Sequence, residues 1–242
     1  MTRPPAFSAA PALAALLLAS CALPAAPGDY PSDFVPTPTA AGSGGSLLSP
    51  DGFDLAQRMT VRVRNVGCGT ITTGTGFAVD AHTVVTNRHV IEGSQELEIS
   101  TYDGHVFSAT ATESTTVADL AIVRVEEELE AVAVLATEDP EVGVPVTIVG
   151  YPLGGRLSTV KAVVLQTNPE DVDPDIGPAF GTTAALEGGE SGAPVVNADG
   201  QVVGVVYGKH PTRPQSFFIP VSTLVELLAE PSLFIPSSTE CE

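Results

Sequence analysis

Short β-branched runs recur at close, fairly even spacing through most of this chain of 242 residues. They extend from Met59 to Ser222, and residues typical of turns separate each run from the next. Such a series is typical of an all-β sandwich or barrel rather than of alternating strands and helices. The runs are MTVRVRNV, TGFAVD, HTVVTN, ELEIST, HVFSATATES, LAIVRVE, AVAVLA, VPVTIVGY, STVKAVVLQT, GTTAAL, GAPVVNADG, QVVGVVYG and SFFIPVS.

The strand-like runs divide into two similar halves around Thr137–Gly143. Two halves of this size fit a pair of small barrels, each too small to be stable without packing on the other. We therefore expect one domain over 51–242, with barrels at about 59–136 and 144–221. Helix is expected only as a turn at NRHVIEG and in STLVELLAE. In the second, Ser222 or Thr223 can cap the helix, and three leucines share one face: Leu224, Leu227 and Leu228.

The first 21 residues have the pattern of a targeting segment. Arg3 precedes an apolar stretch, AAPALAALLLAS, that is too short to span a membrane. The letters LASC (Leu18–Cys21), which overlap the end of this stretch, resemble the lipobox of bacterial lipoproteins, in which Cys21 would be lipidated; the alternative is a secretory signal cut near Ala25 and Ala26. Both interpretations predict export, to the outer face of the cytoplasmic membrane or as a secreted protein. Residues 22–50, rich in Pro, Ala, Gly and Ser, are predicted to be a flexible linker.

Export also bears on the cysteines. Once Cys21 is lipidated or removed, Cys68 and Cys241 remain as an even pair in an oxidising compartment. We predict a disulfide between them, closing a loop of about 170 residues that the chain-entropy model values at roughly 4 to 5 kcal/mol. The alternative is two unpaired buried thiols.

The charge of the chain excludes some classes of function. The formal net charge is −19, so a nucleic acid, itself a polyanion, would be repelled. Acidity of this kind mainly keeps a protein soluble. His82, His105 and His210 each lack a second ligand at a metal-binding spacing, so neither a metal nor a cofactor is expected.

Three residues in order, His89, Asp119 and Ser191, suggest nucleophilic catalysis. Each alone is commonplace, and a serine among glycines usually marks a turn. Together they supply a nucleophile, a base that accepts its proton and a carboxylate that orients the base. The glycines gain a purpose as well, because a Gly-x-Ser turn can aim the N–H groups of Gly189 and Ser191 at a developing oxyanion.

The blocks TGFAVDAHTVVTNRHV, ADLAIVRV and GESGAPVVNADGQVVGVVYG resemble the three signature blocks of trypsin-like, chymotrypsin-fold serine proteases in their bacterial HtrA-like branch. The resemblance covers roughly Met59 to Leu228. The positions of Cys68 and Cys241 also resemble, more weakly, those of actinobacterial MarP-like proteases. The resemblance implies two perpendicular six-stranded β-barrels, a triad in the cleft between them, and endopeptidase activity on a polypeptide.

The resemblance also implies where substrate would bind. Ala185 falls at the base of the primary pocket, and Tyr207, Gly208 and Lys209 fall on the strand that pairs with the substrate backbone. A small or medium apolar side chain is then the expected preference, unless Lys209 or His210 reaches in and favours an acidic one. The chain departs from the family at two further positions, with Glu190 in place of Asp or Asn and Ala193 in place of a frequent glycine. Glu190 raises the question of whether the oxyanion loop, the turn that carries Gly189 and Ser191, is preformed.

Two other functions compete with a peptidase. An esterase of the α/β-hydrolase type also has a serine among glycines, but its chain order is Ser, Asp, His, and GESGA lacks the final glycine of its motif. The second rival is a catalytically silent, protease-like binding module anchored at the cell envelope. The complete set of three residues argues against it, whereas Glu190 keeps it open.

Overall fold

The computed structural model describes residues 52–67, 69–167 and 176–237. The predictions for the signal segment at 1–21, its lipidated cysteine Cys21, the linker at 22–50 and the Cys68–Cys241 disulfide lie outside these residues. In the described part of the chain, strands predominate and the α-helices are short.

The first barrel is built from six antiparallel strands. They are β1 (Thr60–Gly67), β2 (Ile71–Asp80), β3 (Thr83–Thr86), β4 (Ser94–Ser100), β5 (Val106–Ser114) and β6 (Ala121–Val125). The strand order is β5-β4-β1-β2-β3-β6, and a β5–β6 pairing closes the barrel. Along β1 the valines Val61 and Val63 are buried, while Arg62 between them is half-buried, as the period of two in a strand requires.

The second barrel is also six-stranded and closed. Its strands are β7 (Pro145–Gly150), β8 (Ser158–Leu165), β9 (Phe180–Thr182), β10 (Pro194–Val196), β11 (Val202–Lys209) and β12 (Ser216–Pro220), in the order β10-β11-β12-β9-β8-β7. A pairing between β7 and β10 completes the circle. The predicted all-β fold of two packed six-stranded barrels is therefore confirmed.

A shared core joins the two barrels. Phe77 and Val85 from the first barrel belong to the same buried cluster as Val205 and Ile219 from the second. Each barrel also has an apolar interior of its own, rich in valine. This arrangement gives each small barrel the additional burial that its size requires.

Within the residues that the structure describes, three α-helices lie next to strands: α1 (Leu55–Met59), α2 (Arg88–Ile91) and α3 (Val221–Ala229). The sequence predicted α2 as a turn and α3 as a helix with a leucine face, and both are present. The predicted cap is wrong, because α3 begins after Pro220 with no side-chain cap, and the Ser222 hydroxyl donates to Asp139 instead. No helix in the described ranges is long and apolar enough to cross a membrane.

Two segments differ from the predicted strands. AVAVLA (131–136) is not a strand but the connection between the barrels, with a single bridge from Leu135 to Val202. Ala131, Ala133 and Leu135 are half-buried by packing against the shared core rather than by a ladder of strand pairs, whereas Val134 is exposed. A two-residue strand, β13 (Ile235–Pro236), was not predicted and pairs with Ser114 and Glu113 of β5.

Candidate active site

His89 and Asp119 lie at the ends of neighbouring strands in the first barrel. His89 belongs to α2, which follows β3, and Asp119 lies two residues before β6, the strand that pairs with β3. The backbone N–H of His89 donates to Asp119 Oδ1 at 3.1 Å, and its ring Nδ1 lies 2.5 Å from Asp119 Oδ2. Both oxygens of one carboxylate therefore fix one histidine, and with that carboxylate ionised the ring proton belongs on Nδ1.

Exposure differs sharply between these two side chains. The Asp119 side chain is only 8% exposed, whereas the imidazole is 45% exposed. Asn87, fully buried, donates from Nδ2 to the Asp119 carbonyl at 2.7 Å and so fixes its backbone as well. This arrangement can hold the carboxylate rigidly inside the protein while Nε2 of His89 faces outward, able to accept a proton.

Ser191 lies on the loop between β9 and β10, packed against the first barrel. The backbone N–H of Thr75 on β2 donates to the Ser191 carbonyl at 2.8 Å, and the Thr75 carbonyl accepts from the Thr86 hydroxyl at 2.7 Å. Thr86 ends β3, three positions before His89. The structure thus brings Ser191 to the strand ends that carry the histidine, although no hydrogen bond joins the two side chains within the described ranges.

The peptide between Gly188 and Gly189 has a fixed orientation. The Gly188 carbonyl accepts from the Leu153 N–H at 2.6 Å. Because a trans peptide is planar, its carbonyl and its N–H point in opposite directions, so the Gly189 N–H is directed away from Leu153. In the part of the chain that the structure describes, neither this N–H nor that of Ser191 donates to an acceptor. Both are therefore available to an external oxygen.

Two glycines in this loop cannot be replaced by larger residues. Gly189 has φ +92°, and a Cβ there would lie 2.7 Å from the Tyr151 carbonyl oxygen. Gly192 has φ +86°, and a Cβ there would lie 2.0 Å from the Thr75 carbonyl oxygen. Ala193, at the second departure from the family pattern, is not among the positive-φ residues of the described chain and is fully buried. An alanine is therefore accommodated there.

Leu153 adopts an unusual conformation beside this loop. Its φ of 54° and ψ of 23° are left-handed, and it is the one non-glycine residue with positive φ in the described ranges. For a bulky L-residue this costs on the order of 1 kcal/mol. The Leu153 side chain is exposed, so nothing in its own packing offsets that cost. The contact that compensates this cost is the hydrogen bond from the Leu153 N–H to the Gly188 carbonyl.

Glu190, the first departure from the family pattern, is 3% exposed. Its Oε2 accepts a hydrogen bond from the Glu187 N–H at 2.7 Å. Burial raises the pKa of this carboxyl, and the hydrogen bond from Glu187 opposes that rise. The Glu190 carboxylate therefore reaches back past Gly188 and Gly189 to the backbone N–H of Glu187.

The predicted substrate-binding residues lie at the edge of the second barrel. Ala185 is exposed and follows buried Ala184. Tyr207 is a bulge in β11, because the register with β12 shifts between Val206 and Gly208. In the described chain, β11 pairs with β10 only as far as Val205, whereas Gly208 and Lys209 pair with β12. The edge of Gly208 and Lys209 opposite β12 can accept a substrate strand.

Lys209 and His210 differ in their surroundings. The Lys209 ammonium lies 3.6 Å from Glu187 Oε2, with both side chains more than half exposed. His210 instead contacts Arg213, whose Nε donates to the ring at 2.9 Å, and its ring is tilted against Phe217. Lys209 is therefore engaged by a carboxylate of the protein itself.

Sequence reasoning missed three residues that shape the site: Thr75, Asn87 and Leu153. The Thr75 hydroxyl donates to the Gly189 carbonyl at 2.7 Å and accepts from the Tyr151 N–H at 3.0 Å, so it links the first barrel to two loops of the second. In the sequence Thr75 is one more β-branched residue in a strand. Asn87, at the helix start, had a signal that could have found it, since Asn is typical there.

Comparisons with known proteins agree on one kind of domain. A family model described as trypsin-like peptidase domain matches residues 74–205. Serine protease Rv3671c of Mycobacterium tuberculosis is 31% identical over 160 residues, which cover 61% of this chain and 39% of that protein. A probable periplasmic serine endoprotease, DegP-like, from Halomonas elongata is 31% identical over 154 residues, covering 62% and 31%. The chain spans about two fifths or less of the length of these relatives.

Solved structures give the same result. The active form of Rv3671c protease from M. tuberculosis matches with a TM-score of 0.67 and 28% identity, over 77% of this chain and 86% of that one. The inactive form of the same protease matches with a TM-score of 0.62 and 28% identity, over 72% and 89%.

Proposed function

This chain belongs to the trypsin-like peptidase family, and from that premise we propose that it is an exported serine endopeptidase that hydrolyses polypeptides through an acyl-enzyme intermediate. The observation that carries the proposal is the pair of hydrogen bonds from His89 to the two oxygens of buried Asp119. The resemblance to HtrA-like and MarP-like proteases predicted from the sequence is confirmed by the relatives found.

In the proposed first step, His89 Nε2 accepts the Ser191 hydroxyl proton as Oγ attacks the scissile carbonyl carbon. Asp119 stabilises the imidazolium that forms and keeps the ring in its productive tautomer. The imidazolium then gives the proton to the leaving amine, and the C–N bond breaks. Water, activated by the same imidazole, attacks the acyl-enzyme and releases Ser191 with its proton restored.

The oxyanion formed in each step would be bound by the N–H groups of Gly189 and Ser191. Their lack of acceptors in the described chain supports this role, as does the orientation of the Gly188–Gly189 peptide. Removing one such donor costs on the order of 3 kcal/mol of transition-state stabilisation. A loop whose peptide is already held by Leu153 supplies this stabilisation without rearrangement.

The substrate would bind as an additional strand along Tyr207–Lys209. Strand addition gives affinity through backbone hydrogen bonds, and the side-chain pocket gives specificity. Ala185 at the pocket base carries no charge, which favours a small or medium apolar side chain before the scissile bond. The ion pair of Lys209 with Glu187 weakens the case for an acidic one.

We propose export from the features of the N-terminal segment: the apolar stretch, the lipobox-like LASC ending at Cys21, and the linker at 22–50. The Halomonas relative is described as periplasmic, which supports an envelope location. The enzyme would then act from the outer face of the cytoplasmic membrane on a lipid anchor, with Cys68 and Cys241 oxidised to a disulfide.

The test is labelling of the full chain with a fluorophosphonate, alongside Ser191→Ala and His89→Ala, with cleavage of unfolded casein as a second readout. We expect the unsubstituted protein to be labelled and to cleave casein, and both variants to lose about 10⁶-fold in rate. A folded protein that takes no label would replace the peptidase by a silent binding module. Labelling without casein cleavage would point to an esterase.

A further inference from the structure

Glu190 has no role in the chemistry described above, yet it directly precedes the nucleophile and is buried. Its carboxylate folds back on its own loop, accepting from the Glu187 N–H at 2.7 Å. At the other end of the residue, its carbonyl accepts from the Ala193 N–H at 3.0 Å. Glu190 therefore ties the residues on both sides of it to one fixed backbone path.

The segment that this hydrogen bond encloses is conformationally free by itself. Gly188 and Gly189 lie between Glu187 and Glu190, and a Cβ at Gly188 would meet no atom within 4 Å. Two consecutive glycines have the largest choice of backbone conformations of any residue pair. One conformation must nevertheless persist for the Gly189 N–H to face the substrate, so a contact that bridges the pair has a direct effect on the oxyanion donor.

The second barrel accommodates the longer side chain that this position carries. A Cβ at Gly150 of β7 would lie 3.4 Å from Glu190 Cγ and 3.2 Å from the Ala193 side chain. The Glu190 side chain thus lies at ordinary van der Waals distance from this position of β7. The extra reach carries the carboxylate to the Glu187 N–H, three positions back along the chain.

The charged groups around Glu190 are few. Gly150 and β7 present no charge to it. The Glu187 carboxylate, in the same loop, raises the pKa of Glu190, whereas Lys209 on β11 lowers it, and both effects are smaller than that of burial. Lys209 lies 3.6 Å from Glu187, so these two side chains partly neutralise each other.

We propose that the ionised Glu190 carboxylate is a positioning group that holds the oxyanion loop, and that its protonation releases the loop and lowers the rate of acylation. The proposal rests on the proposed function. The physical basis is that an N–H bond to a carboxylate is roughly twice as strong as one to a neutral oxygen. When the carboxyl takes up a proton, the Glu187 N–H keeps only the weaker bond, and the backbone of Gly188 and Gly189 is then held mainly by the contacts of their carbonyls with Leu153 and Thr75.

The sign of the pH effect distinguishes positioning from simple structural support. A carboxyl whose pKa is raised by burial favours folding when protonated, so its contribution to stability is present in acid and is lost as the pH rises through its pKa. The rate of acylation would instead rise as the pH rises through this pKa, since the ionised form holds the loop. A residue with a purely structural role would change stability and rate in the same direction.

The experiment measures the second-order rate constant of fluorophosphonate labelling of the full chain from about pH 4 to about pH 9. If Glu190 acts, the rate of the unsubstituted protein falls in acid with a limiting slope one proton steeper than that of Glu190→Gln, in which position 190 cannot ionise. Glu190→Gln keeps a neutral acceptor for the Glu187 N–H, so it should also label up to about tenfold more slowly.

Two further variants complete the test. Glu190→Ala removes the acceptor, and we expect about 10²-fold slower labelling with little change in Tm. Glu187→Gln removes the carboxylate that opposes ionisation of Glu190 but keeps the backbone N–H, and should shift the steeper part of the profile to lower pH. An unsubstituted protein that is not labelled at any pH rejects the peptidase itself. If Glu190→Gln is labelled with the same slope as the unsubstituted protein, the role of Glu190 is rejected while the peptidase proposal stands. The same conclusion follows if the rate loss of Glu190→Ala parallels a lower Tm.

Discussion

The two barrels hold their parts of the site by different means. In the first barrel, His89 and Asp119 are placed by the ends of paired strands, and the hydrogen bonds between them lie within that barrel. In the second barrel, Ser191 lies on a glycine-rich loop, and part of what fixes that loop comes from Thr75 in the first barrel. The proposed base is thus held at the ends of strands, whereas the proposed oxyanion donors depend on packing between barrels.

This difference indicates which parts of the site can lose their function while the protein stays folded. Strand ends in a closed barrel move only if strand pairs break, and such pairs are the stable part of a fold. A loop with positive-φ glycines and a left-handed Leu153 keeps its shape only through a few hydrogen bonds. Substitutions at the base should therefore affect chemistry with the loop intact, and substitutions around the loop should uncouple the oxyanion donors from an intact base.

Among the residues that support the nucleophile and base, Asp119→Asn should give the largest effect, a loss on the order of 10⁴-fold in kcat. An amide facing Nδ1 favours the wrong imidazole tautomer, so His89 can no longer accept the serine proton. Casein cleavage would measure the rate, and circular dichroism would check the fold. Asp80→Asn, an exposed aspartate at the end of β2 that accepts from the His82 N–H, is the matched control and should retain full activity. Equal losses of kcat in Asp119→Asn and Asp80→Asn would contradict a specific role for Asp119.

Leu153→Pro comes next, with an expected loss of about 10²- to 10³-fold in kcat. Proline has no N–H to donate to the Gly188 carbonyl and cannot adopt a φ of 54°. The Gly188–Gly189 peptide is then free to turn. Leu153→Gly keeps the N–H and relieves the left-handed strain, so it should stay within a few-fold of the unsubstituted rate. If the glycine variant loses as much as the proline variant, the Leu153 side chain and not its N–H is responsible.

Thr75→Val should have a smaller and mixed effect. It removes the hydroxyl that donates to the Gly189 carbonyl and accepts from the Tyr151 N–H, leaving two buried groups unpaired at about 1 to 3 kcal/mol of folding stability. We expect about a tenfold loss of kcat with little change in KM. Thr72→Val, exposed on the same strand, should change neither. Urea unfolding and steady-state kinetics would separate the two losses.

Tyr151→Phe should give the smallest effect. Burial raises the pKa of Tyr151 to about 12, and its hydroxyl has no hydrogen-bond partner within the described residues. The folded state therefore keeps the phenol neutral at a pH where the unfolded chain ionises it, and the resulting loss of stability falls between pH 10 and about 12. Without the phenol, the midpoint of alkaline unfolding should move to higher pH. A midpoint that stays in place would mean that Tyr151 is accessible.

Much of the fold could be read from the sequence because strand period and turn residues are local signals. The same holds for the blocks around His89, Asp119 and Ser191, where a rare combination of residue types stands out. The strand predicted at AVAVLA is absent for a physical reason. Ala131, Ala133 and Leu135 pack on the core shared between the barrels, so the segment needs apolar residues although it pairs at a single bridge only.

The support of the oxyanion loop could not be predicted because it depends on directions rather than on residue types. Nothing in the letters PLG indicates that Leu153 is left-handed, and nothing in TGTG indicates that the Thr75 hydroxyl faces Gly189. Whether Glu190 permits a preformed loop was likewise open in the sequence. Its contact with the Glu187 N–H depends on the side chain folding back along its own loop, which the letters GGES do not indicate.

The short strand β13 has a consequence for the order in which this protein can be completed during synthesis. Ile235 pairs with Ser114, 121 positions earlier (235 − 114). A ribosome therefore releases β5 long before the strand that covers it, and the whole second barrel and α3 must emerge in between. Contacts of such long sequence separation form late. Until then, the β5 edge at Glu113 and Ser114 is open to pairing with any other strand nearby.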